Sequence, residues 1–167
     1  MSRMESQYYE HLVHCKASPL VQILRVLSVV GFVFSFILMT TSIIVGIIGC
    51  VLMGLLFWFS NQEAGKEYEY VYVDGDISFD AIYNKSKRKN KAKTSWEETR
   101  LVCRADASEL EGYRQKNAKV QSFTGSSKEG IYALVTEAGG VPVITYFEPA
   151  QQMLEMMWRK SPSRVKR

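Results

Sequence analysis

The polarity of this chain changes character twice, and those changes divide it. From Val26 to Gln62 there is no Asp, Glu, Lys or Arg, a run far beyond the ~18 apolar residues that mark a membrane-crossing helix. As one helix, Val26 to Ser60 would be about 50 Å long against a hydrocarbon core of roughly 30 Å. Tilt absorbs such an excess poorly, so the pattern predicts two crossings in residues 20–60. The first spans about Leu20 to Met39 and follows Pro19, a residue favoured at helix starts. The second spans about Ser42 to Phe59, with Thr40-Thr41-Ser42 as the turn. Arg25, one to two turns inside the first helix, is expected to snorkel to the headgroups.

Beyond the apolar run the pattern alternates. Glu67 to Val73 puts Tyr68, Tyr70 and Tyr72 on one face of a strand, and Asp74-Gly75 signals a tight hairpin turn. The return strand, Ile77 to Tyr83, carries Ile77, Phe79 and Ala81 on one face. A second turn and a third strand to Trp96 follow in the segment NKSKRKNKAK and its continuation, then a turn at Ser95 to Glu98 and a strand at Leu101 to Arg104. Ala105 to Lys119 reads as a polar, weakly helical connector. Val120 to Phe123 is a short strand, followed by the loop Gly125-Ser126-Ser127. Ile131 to Thr136 and Val141 to Phe147 form a hairpin across Ala138-Gly139-Gly140. A helix over about residues 149–161 closes the pattern, with Pro149 at its first position and Met153, Leu154, Met157 and Trp158 on one apolar face. Pro162 ends it.

The fold class is therefore a membrane α-helical hairpin followed by a mainly β roll, residues 63–161, closed by a C-terminal α-helix and trailed by a basic tail, residues 162–167. Residues 1–19 form a juxtamembrane segment whose Tyr8, Tyr9, Leu12 and Val13 are expected to lie as a helical turn or two on the membrane surface.

Packing and charge refine this picture. Ser42, Gly46, Cys50 and Gly54 recur every four residues, and such small-residue stripes let helix backbones approach closely in lipid. Ser28, Gly31 and Ser35 offer a matching face for hairpin packing, with homodimerisation through the same stripe as the alternative. Lys16 and Arg25 flank one end of the hairpin and Lys66 the other, while the turn is uncharged. The positive-inside rule then predicts a multi-pass protein of the cell membrane with both termini cytoplasmic. The apolar run is too long and starts too late for a cleaved signal peptide. Of 167 residues, roughly 105 follow the hairpin, enough for one small domain. Net charge is +4, and Cys15, Cys50 and Cys103 are too scattered for a disulfide framework or zinc spacing, which suits a reducing compartment.

The strand order with its closing helix resembles a pleckstrin-homology-like domain. The resemblance is carried by Glu67 to Lys89 (EYEYVYVDGDISFDAIYNKSKRK) and Tyr146 to Val165 (YFEPAQQMLEMMWRKSPSRV). With Lys119 to Ser127, these segments are also similar to a family of bacterial membrane proteins labelled as a domain of unknown function. Its most distinctive part here is Phe147-Glu148-Pro149, a helix and a closing Pro-x-x-Val. The resemblance implies a fold and a topology and brings no activity.

The feature with functional content is the cluster Lys85, Lys87, Arg88, Lys89, Lys91 and Lys93, six cations in nine positions. Each cation near an anionic leaflet is worth about 1 kcal/mol, so the lipid bilayer and its anionic headgroups are the expected partners. The bland reading is a solvated hairpin tip that reinforces orientation. Nucleic acid is not expected, because the cluster lacks interleaved exposed aromatics. His11, His14 and Cys15 fall within one helical turn, but three ligands on a terminus make a weak metal site, and no cofactor or metal is expected. Both histidines precede the hairpin, and no nucleophile-base pattern or phosphate loop occurs, so no enzyme is expected. The expected function is a membrane-anchored, non-enzymatic binding or scaffold protein. The alternative is an accessory subunit that recruits a protein partner through its helices.

Overall fold

A computed structural model describes residues 8–15, 17–125 and 129–166. Lys16 and the loop residues Ser126 and Ser127 lie outside the described residues. The chain forms two compact units. One contains the helical hairpin, Cys15–Lys66, together with the turn Tyr83–Lys87; the other holds all remaining β structure.

In the helical unit, α1 runs Pro19–Leu38 and α2 runs Ile43–Ala64. Both are long and apolar enough to cross a membrane. Ser18 caps α1 through its hydroxyl, which accepts from Val21 N, and Pro19 stands at the helix start. The second helix extends five residues past the expected end at Phe59, because Ser60 to Glu63 are polar yet helix-compatible, Ala64 favours helix and the breaker is Gly65. Arg25 Nη2 donates to Asn61 Oδ1 at 2.6 Å across the pair.

The β unit begins earlier than expected. Tyr8–His14 is a strand, β1, and not a surface helix. Its alternation explains the correction: Tyr9, His11 and Val13 fall on one face and Tyr8, Glu10 and Leu12 on the other. It pairs antiparallel with β2, Lys66–Val73, from Tyr8↔Val73 to His14↔Glu67. The first sheet adds β3, Asp76–Tyr83, and β4, Lys87–Thr94, in the order β1-β2-β3-β4. Asp74 and Gly75 both adopt positive φ in the β2–β3 turn, the backbone of a two-residue hairpin loop. A Cβ on Gly75 would also sit 2.9 Å from Trp96 Cβ.

The second sheet has the order β5-β7-β8-β6, with β5 at Thr99–Arg104, β6 at Lys119–Ser122, β7 at Tyr132–Ala138 and β8 at Val141–Phe147. Its β6–β8 pair is parallel. The polar connector is more than a linker. Its 3-10 turn, Ser108–Leu110, buries Leu110 completely against Leu101, Cys103, Ala133, Val135 and Ile144, and leads into the short α3, Glu111–Arg114.

The closing helix α4 is Gln151–Lys160, with Met153, Leu154 and Met157 buried. Two expectations shift here. Pro149 precedes the capping residue Ala150 and is not the first helical residue, and Trp158 sits at the shoulder of the apolar stripe, 39% exposed. The tail after Pro162 is not free: Val165 bridges Val102 of β5 and is buried.

At the centre, the tyrosine face of β2 meets Phe79, Phe123 and Phe147. Tyr70 lies 5.4 Å from Phe79 and 5.9 Å from Phe147, and Phe79 stacks on Phe123 at 5.1 Å. Edge-to-face and offset pairs at such separations stabilise by about 0.5–1.5 kcal/mol beyond area burial.

Candidate functional site

The six cations of the basic cluster all fall on the β3–β4 turn or on β4, and all are exposed. Strand alternation separates them: Lys87, Lys89, Lys91 and Lys93 share one face, and Arg88 lies on the other. Arg88 is engaged inside the sheet. Its guanidinium contacts the Glu69 carboxylate and lies 3.9 Å from Asp80 Oδ2. Both acids are buried, and Asp80 also accepts from Asn90 Nδ2 at 2.6 Å. Carboxylates in such surroundings need a compensating cation, and Arg88 supplies it.

The turn itself is tied to the end of α2. Asn84 and Lys85 both adopt positive φ, at 49° and 56°, and Ser86 N closes the loop on Tyr83 O at 3.1 Å. Asn84 N donates to Gly65 O at 3.2 Å, satisfying a carbonyl left over where α2 ends. Lys66 Nζ stands 5.8 Å over the Tyr83 ring. Lys66, Lys85 and Lys87 therefore gather where α2 finishes. In an antiparallel sheet of order β1-β2-β3-β4, the β1–β2 and β3–β4 connections leave from the same end. The basic turn is thus the third connection of the sheet; its first connection is the helical hairpin.

The small-residue stripe is divided by the structure. Gly46 is buried, and a Cβ there would lie 2.8 Å from the Met39 backbone. Gly31 faces Met53 and Gly49 faces Ser35, so these residues form the seam between α1 and α2. Gly54, by contrast, has open space and lines an apolar groove with Ser28, Phe32, Met53 and Phe57. Ser42 stands at the start of α2 without a side-chain cap bond, and Cys50 is half-buried.

Other polar groups among the described residues make packing contacts. On β1, His11 and His14 belong to opposite faces: His11 packs against Tyr70 at 6.0 Å, and burial lowers its pKa. His14 Nδ1 lies 2.8 Å from Glu67 Oε1. The helical spacing that suggested a shared metal does not exist in a strand. Burial, reinforced by Glu109 and Asp106 against the opposing Arg114, pushes the Cys103 thiol up to about 11, which suits packing and not nucleophilic attack. The Phe147-Glu148-Pro149 motif serves the core. Tyr70 Oη donates to Phe123 O and accepts from Glu148 N at 3.4 Å, while Glu148 Oε1 accepts from Gly125 N at 2.8 Å. A Cβ on Gly125 would lie 2.8 Å from His14 O, so this network also clasps β1.

Two four-stranded sheets around an aromatic core, closed by one C-terminal helix and accompanied by two apolar helices, define a membrane-associated PH-like protein. The chain matches the family described as bacterial PH-like domain (DUF6106) over residues 5–167 and belongs to that family. No curated protein and no solved structure matches it.

Proposed function

We propose that this protein is a membrane-anchored, non-enzymatic binding module. Its PH-like domain works at the cytoplasmic face of the cell membrane, with the lysines of β4 and its turn against anionic headgroups. The observation that carries the reading is the exposed row Lys87, Lys89, Lys91 and Lys93, joined by Lys85 on a turn bonded to the end of α2. Its contacts with Glu69 and Asp80 support leaving Arg88 out of the proposed contact set. Basic flanks and an uncharged helix turn support the cytoplasmic assignment. Five lysines at about 1 kcal/mol each suffice to hold a small domain on an anionic surface and are screened by salt.

Amine acylation tests this on the full chain in nanodiscs. Phosphatidylglycerol-containing discs should protect Lys85, Lys89 and Lys93 several-fold relative to purely zwitterionic discs, with Lys119 of β6 as the internal reference. Equal labelling in both lipids rejects the headgroup contact.

A second reading, recruitment of a larger membrane complex through the helices, is favoured by Gly54, which faces open space beside an apolar groove. Gly54→Leu should then abolish co-purification of a membrane partner while the hairpin stays intact. Gly46→Leu cannot make this distinction, because it breaks the seam itself.

A further inference from the structure

The helical hairpin is inserted between two strands that are direct neighbours in one sheet. β1 ends at His14 and β2 begins at Lys66, and their ladder runs without interruption to His14↔Glu67. Cys15 N still donates to Lys66 O at 3.3 Å. Four residues separate His14 from the start of α1, and Gly65 alone separates α2 from β2. The strand before the first apolar helix and the strand after the second thus form one continuous element.

β1 is also part of the core. Val13 is buried, His11 packs on the Tyr70 ring, and His14 contacts Glu67. Gly125 approaches Val13 and His14 so closely that no side chain fits there. Removing β1 would uncover the β2 edge with its unpaired backbone groups, a template for aggregation.

We propose that completion of the β domain is conditional on the hairpin returning to the membrane face it left. β1 immediately precedes α1, so it stays on the face from which α1 enters, and β2 emerges wherever α2 ends. No ladder can form across roughly 30 Å of hydrocarbon. A chain with an odd number of crossings leaves β1 and β2 on opposite faces, and the first sheet lacks its outer strand. An even number restores the pair. The β1–β2 ladder therefore acts as a topology check: correctly inserted chains complete the four-stranded sheet, and misinserted chains expose the β2 edge. This check rests on the membrane-anchored reading above but involves no residue of β4, so it stands apart from the lysine–headgroup contact.

The test changes the parity of crossings in the full chain. Cys15, Cys50 and Cys103 are first replaced by Ala, and the ladder partners Glu10 and Val71 are changed to Cys. Cross-strand partners lie within disulfide reach. One chain keeps the native hairpin, a second carries one unrelated Leu/Ala crossing helix inserted after residue 15, and a third carries two. A membrane-impermeant thiol reagent on the single Glu10→Cys variant reads the side independently. Oxidant should cross-link the native and two-helix chains efficiently and the one-helix chain only at background. Cross-linking that ignores the side of β1, or a two-helix chain that fails to recover it, overturns the proposal.

Discussion

Arg88 and Lys89 are neighbours in an apparently uniform basic run, yet their energetic roles are opposite. The Arg88 guanidinium balances two buried acids, whereas Lys89 points to the other face of the strand. Arg88→Gln leaves Glu69 and Asp80 uncompensated and should cost about 1–2 kcal/mol, below the range for a fully buried pair because Arg88 is itself half exposed. Lys89→Gln should leave stability within about 0.5 kcal/mol of the parent. Urea unfolding of the detergent-solubilised chain separates the two, and equal effects would dissolve the distinction. Glu148 offers a pH-dependent counterpart. Burial raises its pKa, partly opposed by the Gly125 N–H. The folded state then binds the proton more tightly than the unfolded chain. Its contribution to stability is fully present below the ordinary carboxyl value and is lost as pH rises through the folded value. Glu148→Gln keeps an acceptor for Gly125 and removes the titration. Its melting temperature should exceed the parent's at pH 7 and lose that advantage near pH 4; a constant offset across this range refutes the assignment.

At the scale of elements, the edges of the two sheets are managed by different means. The β4 edge is studded with lysines, a common defence against edge-to-edge pairing. β5 is instead covered by the tail: Val102 N donates to Arg164 O and Lys166 N to Val102 O, both at 2.8 Å. Arg164 Nη1 adds bonds to Trp96 O at 2.9 Å and Thr99 O at 3.1 Å, fixing the tail to the turn before β5 and to the first residue of that strand. The Pro-x-x-Val ending is thus a strap, with Pro162 terminating α4 and Val165 filling the sheet edge. Val165→Asp places an unpaired carboxylate against Val102 and should cost about 2 kcal/mol or more. The same change should raise aggregation on heating, because an open strand edge is exposed. Light scattering together with thermal unfolding measures both, and an unchanged melting temperature would show the strap to be dispensable.

At the scale of the whole molecule, local periodicity carried the reading where partners are near in sequence and failed where they are distant. The apolar hairpin, the tyrosine face of β2, the Asp74-Gly75 turn and the Met153–Met157 stripe each follow from a pattern within a dozen residues. The strand character of Tyr8–His14 was present as alternation, but its proximity to an apolar run favoured a surface helix; its partner lies 53 residues away at Glu67. The parallel β6–β8 pairing, the tail strap and the Glu69–Arg88 contact likewise join residues more than a dozen positions apart. In the basic cluster the residue types were legible and the division between structural Arg88 and exposed lysines was not. One consequence concerns what constitutes the domain. A fragment starting at Glu63 omits β1, whereas joining His14 to Glu67 through Asn-Gly replaces residues 15–66 by a two-residue loop suited to an antiparallel pair. The joined chain should be soluble and unfold in one cooperative transition. The Glu63 fragment should be less stable by at least about 2 kcal/mol, since burial of Val13 alone is worth that order. Equal urea midpoints for the two would place β1 outside the cooperative unit, and with it the coupling between anchor and sheet.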